Sequence, residues 1–385
     1  MATTTAASAP TIYDELGVTP VINARGNYTT LGGSSFSPAV RRAMEEANRY
    51  FVDMQALQDR VGQTIAELLG AEAALVTPGA AAALALGTAA CVTGLDGTKM
   101  ERLPDTAGMK RDVVIQRGHR YHYDHCVTIV GARLVEVGDD AGTGQEQLAA
   151  ALGPDTAAIL FPAHLDGEAG TVPLAEVIRL ARERAVPTLV DAAGQVFPLE
   201  RMQGYAAQGC DLVCFGSKYF GGPNSAGILC GRRELVAAAA LQSFIGYETS
   251  GHRTFGRPLK LDRQEIVAVV VALREWLTMD HEVRLRRDAD KASAIARHLE
   301  GIPHVTAGLQ TESAPAQWVD RAARLRVDVD PRGGRTAAQV AEALARGNPS
   351  IQLHVEGDAL VLAVATLWDG DEEVVGRRLR EELTR

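Results

Sequence analysis

Three features of this 385-residue chain predict an α/β fold: a large domain on a doubly wound, mostly parallel sheet, followed by a smaller C-terminal α+β domain. Between residues 73 and 230 short apolar runs alternate with helical patterns, which is how successive βα units read in sequence. The runs themselves, such as Ala-Ala-Ile-Leu at 157–160 and Thr-Leu-Val at 188–190, lack polar alternation, as strands covered on both faces do. The length also exceeds one ordinary core, so a second domain is expected.

Taken in order, residues 11–36 are mixed and loop-like, with VINARGNYTTLGGSSF rich in Gly, Asn and Thr. Ser37-Pro38 opens a helix, serine as N-cap and proline at the first helical position. A second helix over 55–69 stops at Gly70. Strands are expected at 73–76, 112–116, 133–137, 157–161 and 188–190. Helices are expected at 80–91, 123–130, 146–152 and 174–184, with 92–110 read as a long polar connection. Two further strands, 211–215 and 226–230, bracket the loop Gly-Ser-Lys-Tyr-Phe-Gly-Gly-Pro. A polar, glycine-containing stretch near 245–262 marks a boundary. Beyond it come helices at 263–279 and 282–299, a strand at 324–329, a helix at 337–345, strands at 351–354 and 360–363, and a final charged helix. The organisation expected is an N-terminal segment (1–36) contributing to the active site, a large domain (37–255) and a small domain (256–385).

Composition excludes several classes. Hydrophobic residues make up 46% and charged residues 23%, as in a globular protein, and the net charge is −9. That balance argues against a general nucleic-acid binder, which needs a basic face, while leaving room for a local basic pocket. No run of about 18 apolar residues suggests a membrane span, and MATTTAASAP lacks the basic and apolar regions of a signal peptide. The five cysteines are odd in number and mostly inside apolar runs, so they read as small buried hydrophobes in a reducing cytoplasm. They and the histidines match no metal-ligand spacing.

The chemistry gathers around Lys218. Glycines at 216, 221 and 222 give its loop a tight backbone, and Pro223 stiffens the exit. An isolated loop lysine is ordinarily a solvated charge. Here Asp191 closes a strand upstream, where ligands gather in a parallel sheet, although a carboxylate in that place can equally cap a helix. Further back, Gly79, Ala80 and Ala81 open a small-residue helix directly after a strand, and backbone N–H groups at a helix start attract anions. Lysine, aspartate and phosphate cradle are the parts that hold pyridoxal 5′-phosphate (PLP), whose protonated ring nitrogen needs an acidic partner. Ser217 could donate its hydroxyl to the same phosphate. The segment RGHRYHYDH, Arg117–His125, packs three histidines and two tyrosines into nine residues, and His119 or Arg120 is expected to reach the flat ring.

These residues resemble a family. The loop FGSK followed by GGPNSAG, the Asp-Ala-Ala strand end and the GAAAAL helix start are similar to fold-type I (aminotransferase-like) PLP enzymes. The branch is the selenocysteine-synthase-like group that includes D-glucosaminate-6-phosphate ammonia-lyase. The resemblance runs from VINARGNYTTLGG through GRPLKLDRQEIVA to the last helix. It implies Lys218 as the Schiff-base lysine, Asp191 as partner of the ring nitrogen, Gly79–Ala81 as the phosphate cradle, and a homodimer or larger homo-oligomer with active sites at subunit interfaces. The chain departs from the branch at Arg25, in Asn-Ala-Arg-Gly-Asn, which adds either a cation facing the substrate or a surface charge, and at Gly-Ser-Lys in place of Gly-Gly-Lys. Gln195, a candidate for the ring hydroxyl, stands four residues after Asp191 where sulfur-transferring relatives have three; His164 or Asp166 could serve instead. In HRTFGRPLKLDR, Arg257 and Lys260 match positions that bind anionic groups, or they belong to a solvated linker.

The expected activity is that of a cytoplasmic PLP-dependent lyase removing ammonia from a small, anionic amino acid or amino sugar acid by β-elimination. Racemisation, transamination, aldol cleavage and sulfur or selenium transfer use the same core residues. A non-catalytic PLP-fold binding protein is the alternative of another class.

Overall fold

A computed structural model describes residues 11–310 and 324–385; MATTTAASAP lies outside them. In chain order the strands are β1 (Val21–Asn23), β2 (Ala73–Thr77), β3 (Asp112–Gln116), β4 (Arg133–Val137), β5 (Thr156–Pro162), β6 (Thr188–Asp191), β7 (Leu212–Gly216), β8 (Gly227–Gly231), β9 (Val305–Gln310), β10 (Arg324–Val329), β11 (Ser350–Gln352), β12 (His354–Glu356) and β13 (Ala359–Ala363). The described residues form two compact units, one of Gly32–Met279 and one of the residues before and after that span.

The larger unit is built on a seven-stranded sheet in the order β2-β8-β7-β6-β5-β3-β4. All neighbours are parallel except at β8, which runs antiparallel to both β2 and β7. Strands β5 to β8 are buried along their whole length. Successive residues serve opposite faces, as the period of two requires. Val190, Val213 and Ile228 join the core on one face with Phe161 and Phe215. Leu189, Leu212 and Leu229 join the core on the other. Each apolar run thus feeds two cores at once, which is why it shows no polar alternation.

The small-residue helix Gly79–Thr93 is almost wholly buried. A Cβ on its Gly87 would lie 3.0 Å from Leu189 and 3.4 Å from both Leu212 and Leu229. The helix therefore rests directly on the centre of the sheet, and its alanines and glycines are what let it come so close.

The boundary differs from the one expected. The helix Arg263–Thr278, read as opening the second domain, belongs to the larger unit. It is tied there by polar contacts that short-range pattern does not show. Trp276 Nε1 donates to the Val196 carbonyl at 2.9 Å, Ser37 Oγ donates to Glu275 at 2.5 Å, and Arg263 donates to the carbonyls of Ala47 and Asn48. The stretch 92–110, read as a loop, contains a short helix, Gly97–Arg102, capped by Asp96.

The smaller unit has an antiparallel sheet, β12-β13-β10-β9, and a separate parallel pair of β1 and β11. Helices His281–Leu299, Ala337–Ala345 and Asp371–Leu383 cover its core of Leu325, Val327, Leu360 and Leu362. Residues 21–25 belong to it because β1 pairs with β11 and Arg25 bridges to Ala363. The N-terminal segment is therefore divided. Its first part, including Arg25, goes with the C-terminal residues, and its Gly-Gly-Ser-Ser part goes with the larger unit.

Candidate active site

Sheet register brings the chemical residues to one edge. Thr77 pairs with Gly227 and Gly227 with Gly216, so the start of helix Gly79–Thr93 and the lysine loop flank the same residue of β8. On the next strand Asp191 pairs with Cys214 of β7 and Pro162 of β5. The carboxyl ends of β2, β5, β6 and β7 thus meet where a parallel sheet offers its ligand site.

At the cradle, Gly79 turns the chain with φ +81°, and the cap residue Pro78 supplies no side-chain hydrogen bond to the helix start. The first backbone N–H groups of an α-helix have no partner within the helix, and here no cap side chain takes them. Ala81 is exposed at this point of an otherwise buried helix. Across from it, a Cβ at Gly227 would stand 2.6 Å from the Gly79 carbonyl carbon and 2.7 Å from the Ala80 nitrogen. Only glycine in β8 lets the helix begin there.

Lys218 sits half-buried on the 3-10 turn Ser217–Phe220, its Nζ 5.0 Å from the centre of the Tyr219 ring. Burial lowers its pKa, which favours the neutral amine that bonds a carbonyl carbon. The loop is held by Gly216 N–H to Ala193 O (2.8 Å), Ser217 N–H to Ala226 O (3.0 Å) and Gly222 N–H to Ser217 O (2.8 Å). The Ser34 hydroxyl donates to Gly222 O at 2.5 Å, so the Gly-Gly-Ser-Ser stretch braces this loop.

Asp191 is buried. Its Oδ2 accepts from the Tyr121 hydroxyl at 2.5 Å and its Oδ1 from the Ala193 N–H at 3.0 Å. Burial raises its pKa, and these two donors oppose the rise. The His164 ring lies against Tyr121, centroids 5.4 Å apart, and burial keeps that imidazole below its usual pKa.

His119 and Ser217 do not make the contacts expected of them. His119 has no exposed surface and cannot stack on a ligand. Its ring packs edge-on to Phe161 at 4.8 Å, and burial holds its pKa at about 4. Gln116 sets its tautomer. The Val172 N–H faces Gln116 Oε1 (2.6 Å) and the Val172 carbonyl faces Nε2 (2.8 Å), so the second Nε2 hydrogen points at His119 Nδ1 (3.3 Å). Nδ1 is then the acceptor and Nε2 carries the proton. Arg120 is engaged by Asp124 and Glu136. Ser217 gives its single proton to the Pro223 carbonyl inside its own loop, not to a phosphate. Gln195 Oε1 accepts from Arg201 at 2.8 Å, and Asp166 caps Leu174. Arg257 is exposed and paired with Glu248 at 2.5 Å, and Lys260 is exposed. Arg25 lies in the smaller unit, its guanidinium 4.1 Å from the Tyr28 ring centre.

Tyr121 is the site residue that sequence reasoning passed over. It was visible only as one of two tyrosines in RGHRYHYDH. Nothing local shows that the 3-10 turn after β3 sends it, rather than His119, across to β6.

The residues fit PLP: a buried carboxylate with no lysine or arginine paired to it among the described residues, an uncapped helix start, and a desolvated lysine on adjoining strand ends. Burial pushes the Cys210 and Cys230 thiols up to about 12, so both stay protonated. Among the described residues no helix is long and apolar enough to cross a membrane, and no group of three or more His, Cys, Asp or Glu could hold a metal ion.

Known proteins agree with this geometry. Residues 21–287 match the SelA family, L-seryl-tRNA selenium transferase. A Streptomyces 5′-C-glycyluridine monooxygenase-decarboxylase is 36% identical over 386 residues, covering 96% of this chain and 92% of its own. The D-glucosaminate-6-phosphate ammonia lyase of Salmonella typhimurium is 32% identical over 385 residues, covering 97% and 98%. The solved structure of a D-glucosaminate-6-phosphate ammonia-lyase superposes with a TM-score of 0.83 at 29% identity, over 97% of this chain and 98% of that one. A PLP-bound serine palmitoyltransferase, at 17% identity and a TM-score of 0.57 over 94% and 87%, shares the fold. With lysine, aspartate and helix start gathered on one sheet edge, the chain belongs to the SelA family and is a PLP-dependent enzyme of fold type I.

Proposed function

We propose that this enzyme is an ammonia-lyase acting on a small anionic β-hydroxy amino acid or amino sugar acid. The observation that carries the reading is the placement of a desolvated Lys218 and the buried Asp191 at adjoining strand ends, in a chain that matches the ammonia lyase over 97% of its length. PLP, when bound, supplies the electron sink that makes the Cα proton acidic. Asp191 keeps the ring nitrogen protonated, and the helix start at Gly79, Ala80 and Ala81 binds the phosphate. Lys218 Nζ takes the Cα proton as general base, its lowered pKa leaving more of it neutral. The Cβ hydroxyl then leaves as water, with the Lys218 proton available to it. Hydrolysis of the released enamine consumes one water and frees ammonia, so the net products are a keto acid and ammonia.

Arg257 and Lys260 are the proposed anchors for the substrate's anionic group, Arg257 exchanging Glu248 for it, and Arg25 is a third proposed cation. The net charge of −9 supports a small substrate over a tRNA. A homodimer in the cytoplasm is proposed with this reading.

A second reading rests on the 36% identical monooxygenase-decarboxylase: loss of the substrate carboxylate as CO2 with consumption of O2. The test is incubation of the holoenzyme with a panel of β-hydroxy amino acids, amino sugar acids and C-glycyl nucleosides in deuterated water, with ammonia, CO2 and O2 followed. Ammonia and a deuterated keto acid without O2 uptake support the lyase. Coupled O2 uptake and CO2 release support the second reading, and inversion at Cα with no ammonia would sink both.

A further inference from the structure

Tyr121 follows the end of β3, and Asp191 ends β6, with β5 between those strands in the sheet. The phenol therefore reaches across a strand to donate to Asp191 Oδ2 at 2.5 Å, the length of a charge-assisted O–H···O⁻ bond. Its ring packs edge-on with His164 at 5.4 Å and tilted with Tyr123 at 6.2 Å, contacts that help direct the hydroxyl. With Ala193 N–H on Oδ1, each oxygen of Asp191 has one protein donor and a further lone pair in reserve. A carboxylate this buried, with no lysine or arginine beside it among the described residues, would otherwise take up a proton.

We propose that Tyr121 is a positioning residue for the cofactor: its hydroxyl holds the Asp191 carboxylate ionised and in one orientation, so that the ring nitrogen of PLP meets a preformed anion. The phenol itself transfers no proton, because burial and the neighbouring carboxylate both raise its pKa. The inference rests on the PLP assignment.

The experiment is a binding titration of apoenzyme, unaltered and Tyr121→Phe, with PLP and with its 1-deaza analogue, in which carbon replaces the ring nitrogen. The phenylalanine keeps the ring packing and removes one oxygen. The expected result is PLP binding weakened about tenfold or more, the worth of a hydrogen bond to a charged group, with binding of the analogue unchanged. In an Asp191→Asn background the same substitution should leave the PLP-to-analogue ratio unaltered. That ratio is taken within each preparation and is insensitive to an inactive fraction. Equal weakening of both ligands would reduce Tyr121 to packing, and unchanged or tighter PLP binding would make its hydroxyl a competitor of the cofactor; either overturns the proposal. Failure of the unaltered protein to bind PLP would instead overturn the cofactor assignment.

Discussion

The α-carbon of Gly227 faces the nitrogen of Ala80 so closely that a Cβ there would stand 2.7 Å from it, and 2.6 Å from the carbonyl carbon of Gly79. Strand β8 and the helix start proposed to bind the phosphate therefore meet backbone to backbone. Gly227→Ala should push the helix start away from β8. The expected outcome is a loss of about 1–3 kcal/mol in stability, as for an overpacked core, together with weaker PLP binding. Thermal unfolding of the apoenzyme and a PLP titration check the two parts separately.

Lys218 is the proposed covalent anchor. Purified enzyme should be yellow, and borohydride should fix the chromophore on the peptide containing Lys218. Lys218→Ala should lose that adduct and reduce turnover about 10²- to 10⁴-fold, the usual range for a general base. An adduct on another lysine in the variant, found by peptide mapping, would remove Lys218 from its role.

His119 makes a pH-dependent contribution to stability. Its folded pKa of about 4 lies below the ordinary 6.5, so the unfolded chain binds a proton more readily between those values. Stability is full above pH 6.5 and is lost as pH falls toward 4, with a limiting slope of about 1.4 kcal/mol per pH unit for one group. His119→Gln should flatten this limb of the stability profile, measured by urea unfolding between pH 7.5 and 5. An unaltered slope would show that other groups carry the acid sensitivity.

Arg257 is paired with Glu248 at the surface, so its removal should change stability by less than about 1 kcal/mol. Arg257→Ala should raise KM for an anionic substrate about tenfold or more while the cofactor stays bound and yellow. Steady-state kinetics with the substrate found in the panel decides it; an unchanged KM returns Arg257 to the surface.

What the sequence determined by itself is the frame. Apolar runs without alternation gave away strands buried on both faces, and Asp191, Lys218 and the Gly79 helix start were legible because each closes or follows such a run. In a parallel sheet those positions share one edge whatever the details of packing. The tertiary structure decided which side chains turn into that edge. Tyr121 reaches Asp191 while His119, two residues earlier, is sealed against Phe161 and Gln116. Ser217 gives its proton to Pro223 and the Oε1 of Gln195 accepts from Arg201, and the helix Arg263–Thr278 is claimed for the larger unit by Val196, Ala47 and Asn48. The Tyr121–Asp191, His119–Phe161 and Arg263–Ala47 contacts join residues tens to hundreds of positions apart, whereas Ser217–Pro223 and Gln195–Arg201 each join residues six apart. Strand-end location follows from local periodicity, but a side chain's direction is set by the neighbours that satisfy its hydrogen bonds, and many of those arrive only when distant segments pack.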